Sequence, residues 1–73
     1  MRIIDVSYVP VVDLSLVRIP HVDIRAGHKL VNEYGTTYEV QGLTTNLKPK
    51  ELEEQNEVVV KGKFIGKEVE WIK

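Results

Sequence analysis

His21, Asp23 and His28 are of the residue types that bind metal ions. Two apart on an extended chain, His21 and Asp23 project to one side, and Gly27 relaxes the backbone before His28. No neighbour in sequence is placed to orient the imidazoles, and loop histidines are ordinarily solvated, so no metal site is expected. Nucleophilic catalysis needs a hydroxyl or thiol beside a base on a strained turn. Ser7 and Ser15 instead fall in strand-like alternation, and neither lies in Gly-x-Ser-x-Gly. Carboxylates pair at Glu53 and Glu54 and again at Glu68 and Glu70. A general acid needs one such carboxyl desolvated, and neither pair adjoins an apolar run that could do it. Gly62 and Gly66 lie on or between strands rather than opening a helix, so no phosphate cradle is read from them. The expectation is a protein that is not an enzyme and needs no cofactor.

Lys61, Lys63 and Lys67 surround the last two apolar segments, with Phe64 and Trp71 close by in sequence. Small β modules bind nucleic acid with such a mixture of basic and aromatic side chains. Glu57, Glu68 and Glu70 dilute the field, however, and cross-strand Lys–Glu pairs on a wet surface account for the same residues. Nucleic-acid binding through these lysines is therefore the alternative reading and not the favoured one. The whole chain agrees, with a formal net charge of −1 from ten Lys/Arg and eleven Asp/Glu. A globally basic footprint is missing.

The elements that must position these residues are strands. Length is 73 residues, enough for one small domain. A chain of that size buries only about 60–65% of its unfolded surface, so its core is thin. The cysteine count is zero, which excludes disulfide staples and thiolate zinc sites. Partner surfaces are the natural supplement to such a core. No apolar run approaches the roughly 20 residues of a membrane helix, and MRIIDVSYVP does not read as a signal peptide. An intracellular protein or a virion component is expected, with no membrane partner.

Val22 to Leu43 carries two apolar-alternating segments around a reversal at Asn32-Glu33-Tyr34-Gly35, the pattern of a β-hairpin. A second hairpin is read from Val58–Ile65 through Gly66-Lys67 into Glu68–Ile72. Val12, Leu14 and Leu16 alternate with Asp13 and Ser15, and the phase slips at Val17, as a bulge would cause. Gly62 falls in the inward phase between Val60 and Phe64, where a small barrel can coil sharply. Thr44 to Gln55 is the one long polar connection, in which Asn46 or Lys48 leads into Pro49 and Lys50–Glu54 can form a single helical turn. The expected fold is all-β: a small five- or six-stranded barrel, SH3-like or OB-like, with little or no helix. The expected core is Val12, Leu14, Leu16, Ile24, Leu30, Tyr38, Val40, Val58, Val60, Phe64, Val69 and Trp71.

The run Ile24-Arg25-Ala26-Gly27-His28-Lys29-Leu30-Val31, followed by Tyr34-Gly35-Thr36-Thr37-Tyr38-Glu39-Val40, resembles tailed-phage head-closure and head–tail connector proteins. Several SH3-like modules are similar there too, and a capsid-decorating protein fits the same features. The resemblance covers about a third of the chain. It implies a β-barrel that packs into a ring or against a shell, with no catalytic residue to carry over.

Residues 1–20 are extended and apolar, hold Pro10 and Pro20, and contain no turn glycine. They read as an N-terminal strand or arm ahead of a barrel over 21–73, within one domain. Ile3, Ile4, Val6, Tyr8, Val9 and Val11 would be an aggregation hazard if left unpaired. Pairing on the chain's own sheet makes them an ordinary first strand; pairing on a neighbour makes them an arm that joins subunits. The favoured function is a structural or interaction module that self-assembles or joins a larger shell such as a phage particle.

Overall fold

A computed structural model describes residues 1–44 and 47–73. The longest ladder sets the architecture. Strand β2 (Leu14–Pro20) runs antiparallel to β5 (Gln55–Lys61), from Leu14 opposite Lys61 to Pro20 opposite Gln55. Around them lie β1 (Asp5–Val9), β3 (Lys29–Asn32), β4 (Thr37–Leu43) and β6 (Val69–Ile72), with a short helix α1 (Pro49–Glu54) before β5. All six strands form one antiparallel sheet in the order β1-β2-β5-β4-β3-β6.

The fold is mostly β, as expected, but the sheet is not closed into a barrel. Strands β1 and β6 are its two ends, and no ladder joins them. Only the residues ahead of β1 reach across: a single bridge pairs Arg2 with Glu68, and Ile3 N–H donates to the Lys67 carbonyl at 2.8 Å. Met1 and Val69 add a reciprocal pair of backbone hydrogen bonds, at 2.6 and 2.8 Å, to that contact.

The reversal at Asn32–Gly35 forms as the sequence indicates, joining β3 to β4, with Gly35 at φ 82°. Only glycine takes that conformation without a Cβ penalty. Val22–Arg25 keeps its alternating burial, which fails at the exposed Ala26, and makes no ladder; it is held by Val22 N–H to Asn56 Oδ1 at 2.8 Å and by a tight turn from Ile24 N–H to the Val22 carbonyl. The second expected hairpin is absent. β5 pairs with β2 and β4, while β6 crosses to β3, placing Leu30 opposite Trp71.

Residues 1–20 do fold back without a glycine. Val12 N–H donates to the Val9 carbonyl and Asp13 N–H to the Pro10 carbonyl, so Pro10 sits second in a tight turn, where its fixed φ is favoured. Asp13 supplies the left-handed residue at φ 52°, a conformation its short polar side chain tolerates. Strand β1 then pairs along β2, Asp5 opposite Arg18 to Val9 opposite Leu14.

The phase of β2 also differs from expectation. Ser15, Val17 and Ile19 face inward and are fully buried, so no bulge occurs at Val17; a register shift lies instead in β4 between Val40 and Gly42. Leu14 and Leu16 consequently lie half-buried on the outer face, and Val12 is 56% exposed on the turn. The core joins Val17 and Ile19 to Ile24, Leu30, Val40, Val58, Val60, Phe64 and Val69, with Ile3, Val6, Tyr38 and Trp71 packed against it. Helix α1 opens on Pro49 and buries none of its residues, so the helical turn that Lys50–Glu54 could form is present. Asn46, in the connection leading to it, lies outside the described residues.

Candidate interaction surface

Opposed residues in a ladder share a face, so the pairing registers define the outer side of β1, β2 and β5. At one end lies a polar row: Asp5 opposite Arg18, Arg18 opposite Glu57. Arg18 Nε donates to Glu57 Oε2 at 3.0 Å, and Thr44 Oγ1 donates to Glu57 Oε1 at 2.6 Å. Glu57 is only 6% exposed, and its carboxylate raises the Arg18 pKa still further from neutrality, chiefly through that hydrogen bond. Toward the other end apolar residues predominate. Val9 lies opposite Leu14, whose partner on β5 is Lys61, and Leu16 lies between Ser7 and Val59, which itself faces Gly42.

The β1–β2 turn extends this apolar end into solvent. Val11 is 93% exposed and Val12 56%, and Ile4, just ahead of β1, is 48% exposed. The turn is not loose, since Tyr8 OH donates to Asp13 Oδ1 at 2.7 Å and Gly62 N–H donates to the Asp13 carbonyl at 2.7 Å. The adjacent carboxylate keeps the Tyr8 phenol above its ordinary pKa, first through that hydrogen bond. A rigid, apolar tip therefore stands beside a sheet edge whose strand has one ladder partner.

Of the residues singled out for interaction, Ile4, Val9 and Val11 are exposed, Tyr8 is half-buried, and Ile3 and Val6 pack against the core. The pattern missed Val12, Leu14 and Leu16 as surface by reading them as core. For Val11 and Val12 the signal was Pro10: apolar residues inside a proline-led turn have nowhere to be buried.

The chemistry-bearing residues are dispersed or already engaged. Among the described residues no three His, Asp or Glu side chains are grouped to hold a metal. His28 Nδ1 accepts from Arg25 N–H at 3.0 Å and from Trp71 Nε1–H at 3.1 Å, while Asp23 pairs with Arg25 at 3.2 Å. Ser7 is exposed on the outer face, and Ser15 is consumed in the core, donating to the Gly62 carbonyl at 2.6 Å and accepting from Phe64 N–H at 2.8 Å. Glu53, Glu54, Glu68 and Glu70 are all solvated. Lys61, Lys63 and Lys67 are likewise exposed.

The β3–β4 turn and the segment ahead of β6 are tied together by side chains. Asn32 Oδ1 accepts from the N–H groups of Tyr34 and Thr36, and its Nδ2 donates to the Ile65 carbonyl at 2.6 Å. Glu33 accepts from Lys67 N–H at 3.0 Å and Glu68 N–H at 3.4 Å. Backbone hydrogen bonds, its own N–H first and then Lys67, hold the Glu33 carboxyl below its ordinary pKa. Gly66 beside it holds φ 126°, a conformation that side chains rarely adopt, and a Cβ there would also displace the Glu33 carboxylate. The open cleft next to this knot, about 360 Å³, is lined by Met1, Asn32, Glu33, Glu68 and Glu70 among others. No described helix is long and apolar enough to cross a membrane. Comparison with protein-family models, curated proteins and solved structures finds no match to this chain.

Proposed function

We propose that the chain is a non-enzymatic interaction module, a subunit that joins a larger protein assembly through β1 and the tip of its hairpin. One observation carries the reading: the sheet ends on a strand flanked by exposed Ile4, Val9 and Val11. Natural sheet edges are commonly defended by lysine, inward charge, proline or a bulge. Strand β6 has Glu70 within it and Glu68 and Lys73 beside it, whereas β1 carries a single charge, Asp5, at its end. An edge so lightly defended, next to apolar side chains, suits a partner.

The setting we propose is a phage particle, with this chain as a head-closure, connector or decorating subunit, supported by the resemblance of Ile24–Val31 and Tyr34–Val40 to such proteins. Kinship with SH3-like or OB-like modules belongs to the same proposal. Six short strands and two sheet ends drawn to a single bridge support it.

Sedimentation of an extract from the cells that make the protein, followed with an antibody, tests the reading. The chain is expected in particles far heavier than its 8.4 kDa, and to leave them when Val11→Glu is introduced. Recovery of the wild-type chain only at the top of the gradient overturns the proposal. Release from the heavy fraction by nuclease, without loss on Val11→Glu, would put nucleic-acid binding through Lys61, Lys63 and Lys67 in its place.

A further inference from the structure

We infer that the first partner of β1 is a second copy of β1: two chains pair antiparallel along Asp5–Val9, with Ser7 facing Ser7 on a twofold axis. The inference rests on the proposed interaction role and names the occupant of the edge. It follows from self-complementarity, the condition for a twofold interface.

Only one register overlaps all five residues of β1 while keeping both cores on the same side of the extended sheet. It is centred on the middle residue, Ser7. In that register Asp5 of one copy lies opposite Val9 of the other, and Val6 lies opposite Tyr8. No like charges are opposed, and a β-branched residue meets an aromatic one, a favourable cross-strand pair. Ser7 is small, polar and exposed on the outer face, so nothing bulky stands on the axis. The same register sets Ile4, 48% exposed, opposite Pro10 of the other copy, with Val11, 93% exposed, one residue beyond. The exposed apolar residues at the two ends of β1 thus cover one another.

Edge pairing over five residues is a small contact, and standard interfaces bury upward of about 1,200 Å². A dissociation constant in the range of about 1–100 µM is expected, weak enough to exchange during assembly. Strand β6 offers no equivalent arrangement. Centring two copies on Glu70 or Trp71 would set Glu70 against itself or against Ile72 with Glu68 and Lys73 crowding the ends.

The wild-type chain and three variants test the inference, and the absence of natural cysteine leaves each introduced thiol alone in its chain. Light scattering of the wild-type chain is expected to give twice 8.4 kDa at high concentration and to fall toward 8.4 kDa on dilution. Ser7→Lys opposes two positive charges on the axis and is expected to stay monomeric with an unchanged far-UV spectrum. Ser7→Cys is expected to form a reducible disulfide dimer, because directly opposed residues have Cα atoms about 4.5–5.5 Å apart, within disulfide reach. Val9→Cys, also exposed, is the control: in this register its two copies lie about 13 Å apart along the strands. Ser7→Cys should cross-link on the order of tenfold faster or more, since pairing raises the effective thiol concentration.

A wild-type mass that stays at 8.4 kDa overturns the inference, as does a dimer that survives Ser7→Lys or equal cross-linking of the two cysteine variants. Should Ser7→Lys fail to fold, the comparison of cysteine variants still decides. Failure here with continued sedimentation in heavy particles leaves the interaction role standing with another partner; loss of both removes the role itself.

Discussion

At the scale of single residues, Ser15 shows how a polar side chain can fix the phase of a strand. Its hydroxyl is fully buried and serves two backbone groups of the loop after β5, the Gly62 carbonyl and the Phe64 N–H. Removing it leaves both without a partner, at about 1–3 kcal/mol each. Ser15→Ala is therefore expected to lower unfolding free energy by about 2–4 kcal/mol, read from the urea midpoint at constant slope. A midpoint within error of wild type would show that those backbone groups do not depend on the hydroxyl. Glu33 makes a pH-dependent contribution of the same kind. Its folded pKa lies below the ordinary value because backbone N–H groups favour the carboxylate. The stabilisation is thus complete above the unfolded glutamate pKa, about 4.3, and is lost as pH falls through the lower folded value. Glu33→Gln should melt below wild type at neutral pH, with the gap closing under acid conditions. A gap independent of pH would refute the carboxylate's role.

At the scale of elements, local patterns were legible and distant pairings were not. The β3–β4 hairpin could be read because its turn glycine and both strands lie between Lys29 and Leu43, close together in sequence, as could the proline-led start of α1. The β1–β2 hairpin escaped because Asp13, not glycine, takes the left-handed position, and Asp is a common residue with many other uses. The β5–β6 hairpin was misread for the opposite reason. Gly66 looks like a turn, yet its small size serves the close approach of Glu33, and β6 finds its partner in β3, far back in sequence. Reading Leu14 and Leu16 as core failed because hydrophobicity alone cannot show that Ser15 has two buried backbone partners. The apolar tip at Val11 was legible as part of an exposed apolar run; its continuation through Val12, Leu14 and Leu16 was not. Hydrogen exchange tests the resulting hierarchy of elements. The seven-pair β2–β5 ladder lies over the core, while α1 buries none of its residues. Protection of Val17, Ile19, Val58 and Val60 amides should approach the global unfolding free energy, with α1 exchanging first. Equal protection of α1 would mean that the helix unfolds only with the sheet.

At the scale of the whole molecule, stability depends on how the two ends of an open sheet are brought together. Met1 N donates to the Val69 carbonyl at 2.6 Å, Val69 N–H donates to the Met1 carbonyl at 2.8 Å, and Ile3 N–H donates to Lys67. Ile3 and Val6 pack against the core on the way. These contacts fasten β6, otherwise held along one side by β3 alone, to the chain that leads into β1. A truncation in this segment therefore disturbs the fold itself, in addition to any effect on assembly. Deleting Met1–Ile3 removes three backbone hydrogen bonds at about 1 kcal/mol net each, before the lost burial of Ile3 is counted. A domain of this size has only about 5 kcal/mol in hand, and each kcal/mol moves its melting temperature by roughly 4–8 °C. The truncated chain is accordingly expected to melt about 12–24 °C lower, measured by far-UV circular dichroism at a concentration where the wild type is monomeric. A fall of less than about 3 °C would show that the sheet does not need the fastening and that β1 is a separable arm. Arg2→Ala keeps the backbone bridge to Glu68 and serves as the control, expected to melt close to wild type because its side chain is exposed. If the control falls as far as the deletion, the side chain of Arg2 rather than the backbone is what holds the two ends.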